Sequence, residues 1–169
     1  MIEAAFHEAG HAVIAHMLDV AVQRVTLKRA ITAPRRITAR TPWKRALVSL
    51  AGPAAEDRFV GYPPAEHPAL WRSAWAKDAR NAASHLGAID GDVAAAHREA
   101  VRLVREHWDA IARVAVALSE HGELSGDEVD VLIARPSRPP LRHRAFRYSG
   151  CSTDFLRHGL PFNSAPQLP

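Results

Sequence analysis

One cysteine, Cys151, is all the thiol chemistry in 169 residues, so no internal disulfide framework can brace this chain. Also missing is any apolar run approaching the roughly 20 residues that cross a bilayer. The N-terminus lacks the basic leader and unbroken apolar stretch of a signal peptide, because Glu3, His7, Glu8 and His11 interrupt it. These absences predict a soluble, cytoplasmic protein with no membrane partner. A hydrophobic content of 47% is enough for one domain with its own core, with or without a tail.

Acidic residues are missing from one long stretch. Between positions 20 and 55 there are eight lysines and arginines and no carboxylate. Such a face steers acidic substrates or binds nucleic acid when nothing else in the fold neutralises it. No aromatic interleaving or reader motif accompanies it, so nucleic acid is not the expected partner. The formal charge of +4 belongs to the C-terminal end: residues 1–134 carry 16 basic and 17 acidic side chains, and 135–169 carry six arginines against Asp154.

What the sequence does have is His7-Glu8-Ala9-Gly10-His11, an HExxH motif flanked by Ala4, Ala5, Phe6 and by Ala12, Val13, Ile14, Ala15. The flanks predict a helix over 2–19. On a helix, side chains four apart share a face, so His7 and His11 can each give a ring nitrogen to one Zn²⁺ at roughly 2.0–2.1 Å. Glu8 points off that face and is placed to act as general base toward a metal-activated water. The bland alternative is a histidine pair on a solvated helix face.

Further along, 20–27 alternates β-branched and polar residues and predicts a strand. Pro34 and Pro42 bracket a short extended piece or loop. A second helix is expected over 43–60, weakened or kinked at Gly52-Pro53, and a third over 73–86, stopped by Gly87. A single long helix over 92–120, with Asp92 as its N-cap, follows from an apolar stripe running from Val93 to Leu118. Ser125-Gly126-Asp127-Glu128 matches a capping box opening a last short helix. From Pro136 onward the pattern dissolves, and 135–169 reads as a Pro/Arg-rich, disordered tail. The fold class is therefore mainly α, with a short strand or hairpin after the motif helix, in a domain spanning 1–134.

HExxH needs a third protein ligand. The positions where metzincins carry glycine and a third histidine hold Ile14 and Met17, and the Asn-Glu pair of thermolysin-like enzymes is absent. Spacing alone leaves Asp78, Glu56 and Glu66 open, with His67 a weaker candidate.

Three segments together resemble the peptidase domain of the FtsH-type ATP-dependent zinc proteases. His7-Glu8-Ala9-Gly10-His11-Ala12, preceded by Phe6, is similar to that family's HEAGHA motif. Leu50-Ala51-Gly52-Pro53-Ala54-Ala55-Glu56 is similar to its LAGRAAE segment, with Pro53 in place of arginine. Asp78-Ala79-Arg80-Asn81-Ala82 is similar to its aspartate-led helix. The resemblance covers about residues 2–134. It implies a zincin-like helical fold, Zn²⁺ held by His7, His11 and Asp78, Glu8 as catalytic base, and a hexameric homo-oligomer. It also implies a metalloendopeptidase acting through a metal-activated water. The family's ATPase and anchors precede this domain, whereas this chain opens on the motif helix and has no phosphate-binding Gly-Lys-Ser/Thr loop. A stand-alone, ATP-independent peptidase acting on peptides or unfolded polypeptides is therefore expected. The alternative is a non-catalytic zinc-binding or adaptor module on the same fold. Glu56 or Asp57 is a candidate to orient a ligand histidine, and Trp71, Trp75 and Trp108 are expected in the core.

Overall fold

In the computed structural model, residues 2–34, 41–61 and 75–135 are described, and all belong to one compact unit, Met1–Ser137. The expected tail from Pro136 onward, the segment 35–40, and Glu66, His67 and Trp71 lie outside the described residues. The architecture is mainly helical with a small antiparallel sheet: α1 (Ile2–Met17), β1 (Val20–Thr26), β2 (Arg29–Pro34), α2 (Thr41–Val60), α3 (Ala76–Gly87), α4 (Val93–Glu106), α5 (Trp108–His121), β3 (Glu123–Ser125) and α6 (Gly126–Ala134).

Helix α1 is the centre of the molecule, packed by α2, α5 and β1. Its sequence is rich in small residues, and that sets how closely its neighbours approach. Ala5, Ala9 and Ala12 are fully buried, as are Ala51 and Ala55 of α2. At Gly10 the two helices come closest: a Cβ there would lie 2.7 Å from both the Ala51 carbonyl oxygen and the Ala55 Cβ. The glycine inside the HExxH motif thus serves the α1–α2 crossing. Around this seam Ile14, Leu50, Ile111 and Leu118 are fully buried, each contributing about 1.5–3 kcal/mol of transfer free energy.

Asp19, with φ of 59°, adopts the left-handed conformation that lets the chain leave α1 and turn straight into β1. The strands stand in the order β2-β1-β3, antiparallel throughout, with a bulge between Val22 and Arg24. The expected hairpin is β1–β2, closed by Leu27-Lys28 between the paired Thr26 and Arg29. Strand β3 had no signal in the sequence. Its three residues lie between Gly122, whose φ of 77° ends α5, and the Ser125–Glu128 capping box that starts α6.

Two expectations change. The long helix over 92–120 is two helices, because His107, at φ −102° and ψ 21°, breaks the register. The apolar stripe continues across the break but serves different partners, α4 packing on α2 and α5 on α1. Asp92 does cap α4, its carboxylate accepting the Ala94 amide at 2.8 Å. Helix α2, by contrast, runs unbroken through Gly52-Pro53, both residues being buried and Gly52 lying against His11 of α1. That tertiary packing outweighs the loss of one backbone donor.

Candidate metal centre

The α1–α2 crossing and the first turn of α3 bring three side chains together. His7 and His11, one turn apart on α1, face each other with their Nε2 atoms 3.1 Å apart. Asp78 reaches them from α3, with Oδ2 at 3.2 Å from His7 Nε2 and Oδ1 at 3.8 Å from His11 Nε2. Taking one donor atom from each residue, all three lie within 4.8 Å of one another, and the group could hold a metal ion. Of the carboxylates that spacing left open, Asp78 is brought to both Nε2 atoms and Glu56 to His7 Nδ1, while Glu66 lies outside the described residues.

Each histidine is oriented through its other nitrogen. His11 Nδ1–H donates to the Val48 carbonyl at 2.7 Å, and a carbonyl can only accept, so neutral His11 turns a lone pair toward the centre. His7 Nδ1–H donates to Glu56 Oε2 at 3.0 Å, and Trp75 Nε1–H donates to the same oxygen at 2.7 Å. Glu56 thus holds the His7 ring, as carboxylates beside metal-ligating histidines commonly do. Trp75 was expected only as core; it is buried, but its indole also fixes that carboxylate. Gly52 has a role that the sequence did not reveal. The His11 ring lies directly on it, and a Cβ at position 52 would sit 2.3 Å from His11 Nε2.

Charge at this centre is arranged for a cation. Burial pulls the His7 pKa down, but hydrogen bonds to Asp78 and Glu56 outweigh it and raise His7 to about 9. His11 goes the other way, to about 4, because of burial and the neighbouring His7 charge. One proton on His7 therefore stands where two lone pairs and a carboxylate converge. Burial pushes Asp78 up, yet the His7 hydrogen bond and the charges of His11 and His7 hold it below its ordinary value. Its place in the first turn of α3 adds the favourable end of a helix dipole.

Two imidazoles and a carboxylate are donors of the kind that hold a small divalent cation. With metal–ligand bonds of roughly 2.0–2.1 Å, the edge between two tetrahedral ligands is about 3.3 Å. The His7–His11 separation of 3.1 Å matches that edge, while Asp78 turns Oδ2 to His7 at 3.2 Å and Oδ1 to His11 at 3.8 Å, so that with one donor atom from each residue the three lie within 4.8 Å.

Glu8 lies beside this group rather than within it. It lines the same cavity, of about 380 Å³, close to the Ala30 backbone amide of β2. Burial raises its pKa above the ordinary 4.5, against the lowering effects of the His7 charge and the Ala30 amide. Asp57, the other candidate to orient a histidine, is buried on α2, but the recorded His7 partner is Glu56. No helix among the described residues is long and apolar enough to cross a membrane. Compared with protein-family models and with curated proteins, the chain matches none.

Proposed function

We propose that this chain is a zinc-dependent metalloendopeptidase with an FtsH-type site, hydrolysing peptides or unfolded polypeptide segments. The observation that carries the reading is the convergence of two oriented imidazole Nε2 atoms and one carboxylate within 4.8 Å of one another, beside a separate carboxylate in the same cavity. His7, His11 and Asp78 would hold the ion, and two imidazoles with one carboxylate, leaving a fourth position open, suit a catalytic Zn²⁺. A bound Zn²⁺ supplies Lewis acidity to an attacking water and to the scissile carbonyl. Glu8 takes the water's proton and later gives it to the leaving amine. Its carboxylate lines the cavity outside the three-residue group. Glu56 keeps His7 Nε2 aimed inward, and the Val48 carbonyl does the same for His11.

The test is metal content and cleavage of an unfolded protein such as casein, measured on the wild type beside Glu8→Gln. One zinc per chain in both proteins, with cleavage only in the wild type, is the expected result. Zinc in both with cleavage in neither sinks the peptidase and leaves a zinc-binding module. Absence of zinc from both removes the basis of the reading.

A further inference from the structure

The cavity holding Glu8 and the His7–His11–Asp78 group is walled by cations. Lys28 and Arg29 come from the β1–β2 turn, Arg45 from α2 and Lys77 from α3. All four are exposed, and among the described residues none of them forms an ion pair. Among the described residues, the carboxylates lining the cavity are Glu8 and Asp78. A bound dication offsets those two, so the four cations are left facing whatever enters. Some basic side chains elsewhere do find partners: Arg24 pairs with Glu123, and Arg102 with Glu99 and Glu106. What sets the cavity apart is that four cations from separate elements, unpaired among the described residues, line one opening.

We propose that this rim selects peptides carrying acidic side chains next to the bond to be cut. The inference rests on the peptidase reading and supplies its substrate class. Three elements separated in sequence deliver the cations to one opening, which a merely solvated basic face does not require. Exposed cations attract a carboxylate weakly one by one, but several converging on a cavity of about 380 Å³ act together and steer approach. The residues that face the entering chain are long and flexible, so the preference is for acidic character near the scissile bond rather than for one fixed side chain. Lys77, beside Asp78 on α3, sits closest in sequence to the ion, and its charge is felt at both Glu8 and Asp78.

Binding to zinc-loaded Glu8→Gln reads this preference without any turnover. Two labelled peptides with blocked ends, identical except for Asp/Glu against Asn/Gln at the central positions, are compared by fluorescence anisotropy. The acidic peptide is expected to bind about tenfold more tightly at low salt, the advantage shrinking as ionic strength rises. Adding Arg45→Gln or Lys77→Gln is expected to weaken the acidic peptide more than the neutral one and so reduce the ratio severalfold. Equal binding of the two peptides, or binding of neither, overturns the proposal. A neutral peptide that gains the same advantage from a free C-terminal carboxylate would move the assignment from side chains to the chain end, and so overturns it too. A single-stranded oligonucleotide displacing the acidic peptide at lower concentration than unlabelled peptide does would assign the cations to nucleic acid. Because Glu8→Gln is read by binding, failure of the wild type to cleave either peptide counts against the peptidase alone.

Discussion

The imidazole of His11 lies against the backbone of Gly52, close enough that a Cβ at position 52 would fall 2.3 Å from Nε2 and 2.5 Å from Cε1. The ring has no retreat, because its Nδ1 is tied at 2.7 Å to the Val48 carbonyl one turn earlier on the same helix. Helix α2 therefore positions His11 twice, by a hydrogen bond and by the absence of a side chain. Gly52→Ala should displace the ring and weaken zinc binding by about 10- to 100-fold, the range seen when a metal ligand's support is lost. Local helix propensity would improve by up to about 1 kcal/mol, so loss of helix cannot be the cause. Metal content after dialysis, with circular dichroism on the same samples, checks this. Gly87→Ala is the control, since a Cβ there meets nothing within 4 Å. Full zinc retention in Gly52→Ala would show that the ring does not need this seat.

Glu56 joins His7 and Trp75 through one carboxylate oxygen, at 3.0 and 2.7 Å. Glu56→Gln keeps the volume and an oxygen acceptor but removes the charge that favours a donating His7 Nδ1–H. Zinc affinity should fall by about 10-fold or more while the fold persists. Competition with a chromophoric chelator measures it. Trp75→Phe should have a smaller effect of the same sign, because it frees the carboxylate without removing it. Unchanged affinity in both variants would reduce Glu56 to an ordinary helix carboxylate.

Much of this was legible in the sequence where the constraint is local. His7 and His11 share a face because α-helical geometry puts i and i+4 together. Asp92 and the Ser125–Glu128 pair announced helix starts because their side chains satisfy backbone donors within a turn. Nothing local could single out Asp78. It meets the histidines only because α3 packs on α2, so spacing left it level with Glu56 and Glu66 until a family resemblance favoured it. Gly52-Pro53 read as a weak point in a helix, whereas the glycine is a seat for a ring contributed by another helix. Trp75 read as core because burial hides the one polar atom that matters. The break at His107 was invisible since a helical period continues on both sides, and only the change of packing partner from α2 to α1 reveals it.

Ligand binding to the folded state alone stabilises it by mass action, so the metal should raise the melting temperature in proportion to the logarithm of its concentration. At zinc about 100-fold above its dissociation constant the gain is about 2.7 kcal/mol. The shift should vanish in Asp78→Ala, which leaves two nitrogens to hold the ion. Differential scanning fluorimetry with and without a chelator reads both. A wild-type melting temperature indifferent to zinc and chelator would argue that these side chains do not form a metal site.

The capping box at α6 makes a separate prediction about acid stability. Glu128 accepts the Ser125 backbone amide at 2.7 Å and the Ser125 hydroxyl at 2.8 Å, while the Glu128 amide returns to Ser125 Oγ at 3.3 Å. These bonds favour the carboxylate, holding Glu128 below its ordinary 4.5. A depressed folded pKa contributes stability that is complete above the unfolded value and is lost as pH falls through the folded one. Wild-type stability should therefore decline as pH drops below about 4.5 partly on this account. Glu128→Gln should flatten that part of the curve. Ser125→Ala should cost about 1 kcal/mol at neutral pH through loss of the cap and should flatten the same acid limb. Urea titrations of the three proteins across that window decide it, and parallel acid limbs in wild type and Glu128→Gln would mean that the carboxylate contributes nothing to α6.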